Sequence, residues 1–263
     1  MKHIRIILMM AAIGCLAVGC SKTTYYQVYQ TNPDKTSQCE LKDGKLCHDA
    51  GNCMVRYNFF DENGDAGFWF TNNTDSVVYV NLAETFFILN GNANDYYQAR
   101  GWTTTKSSTI TISKKEKGKK KSKTENTEGT STSEMKASQV TERAVVMIPP
   151  HSTKYFSEFR IATREMELCG IKDTPKRSKP LGLSFTEDNT PLTFGNYVTY
   201  TIGAKGKKNH ISDNFFVSEI INVNGAAMFE SVRAIDACGK ESGEKVERIR
   251  YSTPDRFYVT YKR

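Results

Sequence analysis

The chain has 263 residues, 36 Lys and Arg, 29 Asp and Glu, seven Cys and 11% aromatics, with a formal charge of +7. With Gly counted in and Tyr left out, about 40% of residues are apolar, against roughly 45–50% in a typical globular domain. That shortfall is too small for a wholly disordered chain, and the length suits one elaborated all-β domain or two smaller ones.

Lys2 and Arg5 precede an apolar run from Ile6 to Val18, which closes in Ala17-Val18-Gly19-Cys20. A basic start, a short apolar core and small residues before a cleavage point predict a secretory signal over residues 1–19. The run is shorter than the roughly 20 residues of a bilayer span. Cys20 after those small residues resembles the lipobox of bacterial lipoproteins. That resemblance implies cleavage before Cys20, acylation of Cys20 (palmitate among the chains), and a protein anchored to a membrane by lipid. Ser21, not an acid, follows the Cys, which by resemblance to bacterial sorting rules implies the outer membrane. Surface-exported lipoproteins of the Bacteroidota often carry acids just after the Cys. Ser21-Lys22-Thr23-Thr24 has none, so the periplasmic face is slightly favoured over the cell surface.

Cys39-Glu-Leu-Lys-Asp-Gly-Lys-Leu-Cys47 reads as a small hairpin. A three-residue turn, Lys42-Asp43-Gly44 with Gly44 left-handed, sets Cys39 opposite Cys47. Opposed residues lie about 4.5–5.5 Å apart at Cα, within reach of a disulfide. A two-residue turn at Asp43-Gly44 instead opposes Glu40 to Cys47 and puts the two cysteines on opposite faces. A Cys39–Cys47 disulfide therefore predicts the longer turn. Cys169 and Cys238 are the next candidate pair in an oxidising compartment. Cys53 is the candidate buried thiol, since five cysteines after Cys20 leave at least one unpaired. Cys39, Cys47, His48 and Cys53 lie close in sequence, but zinc sites usually use shorter spacings, and no metal is expected.

Strand patterns follow. Val55, Tyr57 and Phe59 alternate with polar or flexible neighbours, Phe68 and Phe70 flank Trp69, and Val77–Val80 forms a short apolar run. Ile110 and Ile112, then Val198, Tyr200 and Ile202, then Phe257, Val259 and Tyr261 repeat the period of two. Asp43-Gly44, Asn63-Gly64, Asn90-Gly91 and Asn224-Gly225 are turn dipeptides suited to tight hairpins. Asp61–Asp65 has the start of a calcium loop but Ala66 and Asn72 where Gly and Glu belong, and reads as a hairpin turn between Phe60 and Phe68. Helix signals are few: Met228, Phe229, Val232 and Ile235 share a helical face within 226–236, and Arg160–Leu168 is a second candidate, with strand plus loop open for both.

Removing Lys2 and Arg5 leaves 34 basic and 29 acidic side chains, a net of +5, and residues 106–128 hold eight Lys against three Glu, again +5. The positive charge is thus local. Residues of about 114–139 are too poor in large apolar groups to offset their ordering entropy and read as a disordered insertion in a loop. Its Lys114–Lys123 tract could serve as an electrostatic arm for an anionic lipid, a glycan or a protein; nucleic acid is not expected outside the cytoplasm.

No nucleophile elbow, phosphate-binding glycine loop or paired-His zinc motif occurs. His48, His151 and His210 are the histidines of the mature chain, and nothing in the sequence selects one for catalysis. The many aromatics, among them Trp69 and Trp102, are expected mostly in packing, with a sheet-edge cleft for glycans as the alternative. Asp75-Ser76-Val77 resembles the short O-glycosylation acceptor motif of the Bacteroidota, which points to Ser76. The favoured reading is a non-catalytic envelope lipoprotein with no cofactor. A glycan-binding lipoprotein, or a hydrolase with an unrecognised site, is the alternative.

Cys53-Met-Val-Arg-Tyr57, Phe70-Thr-Asn-Asn-Thr-Asp75, Glu84-Thr-Phe-Phe-Ile-Leu-Asn-Gly91, Asn214-Phe-Phe-Val-Ser-Glu-Ile220 and Pro254-Asp-Arg-Phe-Tyr-Val259 are together similar to a family of uncharacterised lipoproteins from Bacteroides and relatives. The resemblance spans most of the mature chain and carries no activity, ligand or catalytic residue. A strand after Asn-x-Thr-Asp and a later Pro-Pro-x-Ser turn resemble immunoglobulin-like lipoprotein domains, a likeness of fold only. The expected fold class is all-β: an antiparallel, immunoglobulin-like β-sandwich over residues 20–263, one elaborated or two packed, with the disordered insertion at about 114–139.

Overall fold

The alternation in the sequence becomes two facing antiparallel sheets in the computed structural model, which describes residues 23–107, 135–236 and 238–263. The described chain opens with β1 (Thr24–Pro33), then runs a meander of β2 (Glu40–Lys42), β3 (Lys45–Asp49), β4 (Cys53–Tyr57) and β5 (Phe68–Asn72). Next come β6 (Val78–Asn81), a 3-10 turn at Leu82–Glu84, β7 (Phe86–Leu89) and β8 (Asn92–Asp95). β9 (Gly101–Ser107), β10 (Met135–Thr141), β11 (Val145–Ile148), β12 (Thr153–Phe156) and β13 (Leu181–Ser184) follow. The long strands β14 (Thr193–Ile202) and β15 (Lys208–Asn224) precede a one-turn helix α1 (Gly225–Met228). The hairpin β16 (Phe229–Ile235) and β17 (Glu241–Ile249) and the closing strand β18 (Arg256–Lys262) complete the chain.

Nine strands form the larger sheet in the order β11-β6-β14-β15-β1-β18, with β13 beside β15 and the β7–β8 hairpin beside β14. Five form the smaller, in the order β12-β5-β4-β3-β2. This is an all-β antiparallel sandwich, and its likeness to immunoglobulin-like domains is that of two facing antiparallel sheets. Residues 97–144 form a separate compact unit, in which β9 and β10 pair from Gly101↔Thr141 to Ser107↔Met135. The insertion expected at about 114–139 therefore ends in strand from Met135 onward. Its other residues, with Ile110, Ile112 and the Lys114–Lys123 tract, lie outside the described residues.

Between the sheets the core is aromatic. Tyr57, Phe68 and Phe70 from the smaller sheet meet Phe194, Tyr200 and Phe215 from the larger, all buried. Phe59 lies edge-on to Phe215 at 4.9 Å and to Phe194 at 5.0 Å, and Phe70 to Tyr200 at 5.3 Å. Such edge-to-face pairs add to the burial of their area.

β15 serves two layers by changing phase. Ile211, Asp213, Phe215 and Val217 are buried up to one point, and Ile220 and Asn222 beyond it. The change falls where the pairing with β1 passes from Thr31↔Val217 to Gln30↔Glu219 and leaves Ser218 over. One extra residue in a strand exchanges its faces. Past the bulge, Val28, Val223 and Met228 form a second, smaller core with Ile249 and Tyr251 around it. On the opposite face, Gln27 donates to Met166 O and to Asn222 Oδ1, both at 3.0 Å, and Asn222 Nδ2 donates to Lys172 O at 3.1 Å. These buried side chains supply the partners for the loop between β12 and β13. Its segment Arg160–Leu168, weighed as a helix, is accordingly irregular.

Of the four turn dipeptides, two form hairpin turns and two do not. Asp43 and Gly44 have φ of 50° and 69°, and Asn90 and Gly91 of 47° and 79°, each pair joining adjacent strands as a two-residue hairpin turn. Asn63-Gly64 is left-handed too, but it sits in the long loop of the β4–β5 hairpin, whose innermost pair is Tyr57↔Phe68 rather than Phe60 and Phe68. Asn224-Gly225 starts α1: the Asn224 side chain accepts the Ala226 N–H at 3.1 Å, and a Cβ on Gly225 would stand 2.6 Å from Thr24 O. The helix weighed for 226–236 lasts one turn, because from Phe229 onward the backbone pairs with β17.

Candidate functional site

Asp213 interrupts an apolar alternation. Its neighbours on the same face, Ile211 and Phe215, are core residues, and it is itself 0% exposed. Three elements meet its carboxyl group. His48 Nδ1 on β3 lies 2.7 Å from Oδ1, Ser37 Oγ donates to Oδ1 at 3.0 Å, and the Tyr57 hydroxyl on β4 donates to Oδ2 at 2.9 Å. Ser37 Oγ also accepts the Cys39 N–H at 3.2 Å. The cluster ties the two sheets together, and its buried polar groups satisfy one another, as burial requires. Cys, His and Asp together are the ingredients of an activated nucleophile, which needs a lowered pKa and access. Cys39 has neither: burial first, and then the Asp213 charge, push its thiol well up, and it is 4% exposed. Chemically this constellation is a clamp.

The outer face of the smaller sheet is different. Register sets Glu40, Cys47, Arg56, Trp69 and Tyr155 in one row across β2, β3, β4, β5 and β12. Trp69 and Tyr155 stack at 4.3 Å with planes 28° apart. The Arg56 guanidinium lies 5.1 Å from the Trp69 ring centre, within cation–π range. The Tyr155 hydroxyl donates to Asp65, which also accepts Ser157 Oγ at 3.0 Å and the Gly67 N–H at 2.8 Å. Burial, followed by that bond to Asp65, pushes the Tyr155 hydroxyl up to about 12. So Asp65 holds Tyr155, Tyr155 holds Trp69, and Trp69 orients Arg56. Among the described residues neither Arg56 nor Lys45 makes an ion pair. An open groove of about 440 Å³ lies beside the row, bounded by Lys45, Arg56, Asn58, Phe60, Trp69 and Pro254.

Cys20 lies outside the described residues. Glu40 pairs with Cys47 and Lys42 with Lys45, so the turn is the two-residue one, Cys39 faces inward and Cys47 outward. The expected Cys39–Cys47 disulfide is therefore not formed. Cys169 and Cys238 are exposed and likewise unpaired, and Cys53 is a buried free thiol. Ser76 is exposed in a bend held by Asn72 and Thr74. His151 meets Asp75 at 2.9 Å on the surface, and His210 stacks on Tyr197. Among the described residues no cluster of three His, Cys, Asp or Glu could hold a metal ion.

Burial pushes the Cys53 thiol up to about 11. Iodoacetamide at mildly alkaline pH is expected to modify Cys169 and Cys238 at least ~100-fold faster than Cys39 and Cys53. Peptide mass spectrometry over a time course checks this. Rapid modification of Cys39 would mean that the clamp opens in the native state.

Sequence reasoning assigned no role to Asp213 or Arg56. A carboxyl group at an inward position of an apolar alternation was the available signal for the first. The second had none, because its row depends on strand register. No family model matches the chain, and no curated protein or solved structure is significantly similar to it.

Proposed function

We propose that this chain is an envelope lipoprotein, anchored to the outer membrane through Cys20, with a non-catalytic binding role carried by the groove beside Arg56. The observation that carries this reading is the guanidinium held by the Trp69–Tyr155 stack and left without an ion-pair partner among the described residues. A charge that is oriented but not paired is a ready recognition element, and little ordering entropy is lost when it binds. The lipobox resemblance of Ala17-Val18-Gly19-Cys20 supports the anchor. The absence of acids in Ser21-Lys22-Thr23-Thr24 supports the periplasmic face. The raised, buried Cys39 thiol argues against the hydrolase alternative at the Asp213 cluster.

Fractionation of cells tests the anchor. Wild-type protein is expected in the outer-membrane fraction, and the Cys20→Ala form in the soluble periplasm. A Cys20→Ala form that stays membrane-bound as wild type does would overturn the lipoprotein reading. Protease shaving of intact cells separates the two faces: degradation of wild-type protein would place it on the surface instead.

A further inference from the structure

We infer that the groove beside Arg56 recognises a carboxylate-bearing saccharide, an inference that rests on the binding role proposed above. Three features of the groove select this class. The first is the cation. The Arg56 guanidinium lies over the Trp69 ring, its carbon 5.1 Å from the ring centre, and a planar fork of N–H donors matches a carboxylate through two parallel hydrogen bonds. A phosphate is more often held in a nest of free backbone N–H groups or at a helix N-terminus. Arg56 and Trp69 lie within the paired ladder of β4 and β5. The second is the wall. Phe60 and Pro254 are partly exposed apolar groups, able to cover the C–H face of a pyranose ring. The third is the set of neutral polar groups. Asn58, Ser252 and Thr253 border the groove and are exposed, in number and kind suited to ring hydroxyls. Lys45 adds a second positive charge on the same groove.

The volume of about 440 Å³ lies within the range of small-ligand sites. The groove is open rather than enclosed, so it suits a segment of a chain-like saccharide more than a buried small molecule. Trp69 itself offers an edge, since Tyr155 and Arg56 flank its ring on neighbouring strands. The sugar therefore packs on Phe60 and Pro254, and Trp69 acts as a positioning residue for Arg56.

Calorimetric titration of the full chain in detergent tests this, with trigalacturonate as the probe. Galactotriose serves as the neutral counterpart and a tri-glutamate peptide as the acidic one. Trigalacturonate is expected to bind at least ~10-fold more tightly than either, and more weakly as salt rises. Arg56→Ala is expected to lower its affinity ~10-fold or more, and Arg56→Lys by ~3- to 10-fold despite keeping the charge. Lys45→Ala is expected to cost a few-fold. Trp69→Phe keeps an aromatic ring beside Arg56 and is expected to bind more tightly than Trp69→Ala. Coincident urea transitions for wild type and Arg56→Ala exclude unfolding as the cause.

Equal, Arg56-dependent binding of the neutral sugar or the peptide would overturn the saccharide-acid assignment while leaving the groove a binding site. Binding of trigalacturonate unaffected by Arg56→Ala would overturn the groove. Absence of binding by all three probes would overturn the assignment too, and fractionation of the Cys20→Ala form then decides the lipoprotein reading independently.

Discussion

Replacement of Asp213 by alanine is expected to destabilise the protein by about 3–5 kcal/mol, the cost of removing one member of a buried charge-bearing polar set. The loss is not that of a single hydrogen bond. Tyr57, Ser37 and His48 each direct a polar atom at the carboxyl group, and each buried group left without a partner costs about 1–3 kcal/mol. Asp213→Asn keeps the shape and one acceptor oxygen, so it is expected to lose roughly half as much. Urea unfolding followed by fluorescence and by circular dichroism reads the difference, with the midpoint shifting and the slope unchanged. A loss below about 1 kcal/mol for the alanine form would mean that the cluster is hydrated or adaptable, and the clamp would be set aside.

The second large effect is expected at Phe215, one inward position further along β15. Its ring touches Tyr57 at 5.2 Å, Phe59 at 4.9 Å and Phe194 at 5.5 Å. Phe215→Ala removes the ring that fills the space between the sheets, and should cost about 3–5 kcal/mol. Phe215→Leu should cost clearly less, since most of the volume is retained. Thermal unfolding checks both, with a shift of about 2–4 °C for each kcal/mol in a chain of this size. Tyr57 gives its ring to Phe215 and its hydroxyl to Asp213. The double variant Asp213→Ala, Phe215→Ala is therefore expected to depart from additivity by about 0.5–3 kcal/mol. Strict additivity would mean that the polar and aromatic halves of the cluster do not share Tyr57.

Local physics made much of this fold readable. Val55 and Tyr57, or Phe257, Val259 and Tyr261, announce half-buried strands by period alone, and all five are buried; Phe59, read with the first set, is buried just beyond the end of β4. Asn90-Gly91 announces its turn because both positive φ values suit those residues. The failures have one cause: the deciding partner lay outside the segment that carried the signal. Asp43-Gly44 suits both a two- and a three-residue turn. The choice is made where β3 pairs with β4, which fixes the face of Cys47 and with it the fate of the expected disulfide. Residues 229–235 carry a helical spacing in Phe229, Val232 and Ile235, yet pairing with β17 selects the strand. Asp213 was visible as an anomaly, but its partners come from β3, β4 and the loop before β2. The row from Cys47 to Tyr155 exists only because four strands align in register. No window of sequence contains it.

The place of β1 governs the order in which the molecule can assemble. It pairs with β15 on one side and β18 on the other, strands that lie at the far end of the chain. The smaller sheet can begin as a meander of neighbours, from β2 to β5. The middle of the larger sheet cannot: an emerging chain offers β1 no partner until β15 has been delivered. Such long loop closures are slow, and strands that wait unpaired are exposed to wrong contacts. The native larger sheet is therefore reached only after β15 and β18 have been delivered. A truncation that removes β18 would leave an open edge along β1, even though it touches neither the Asp213 clamp nor the Arg56–Trp69 stack.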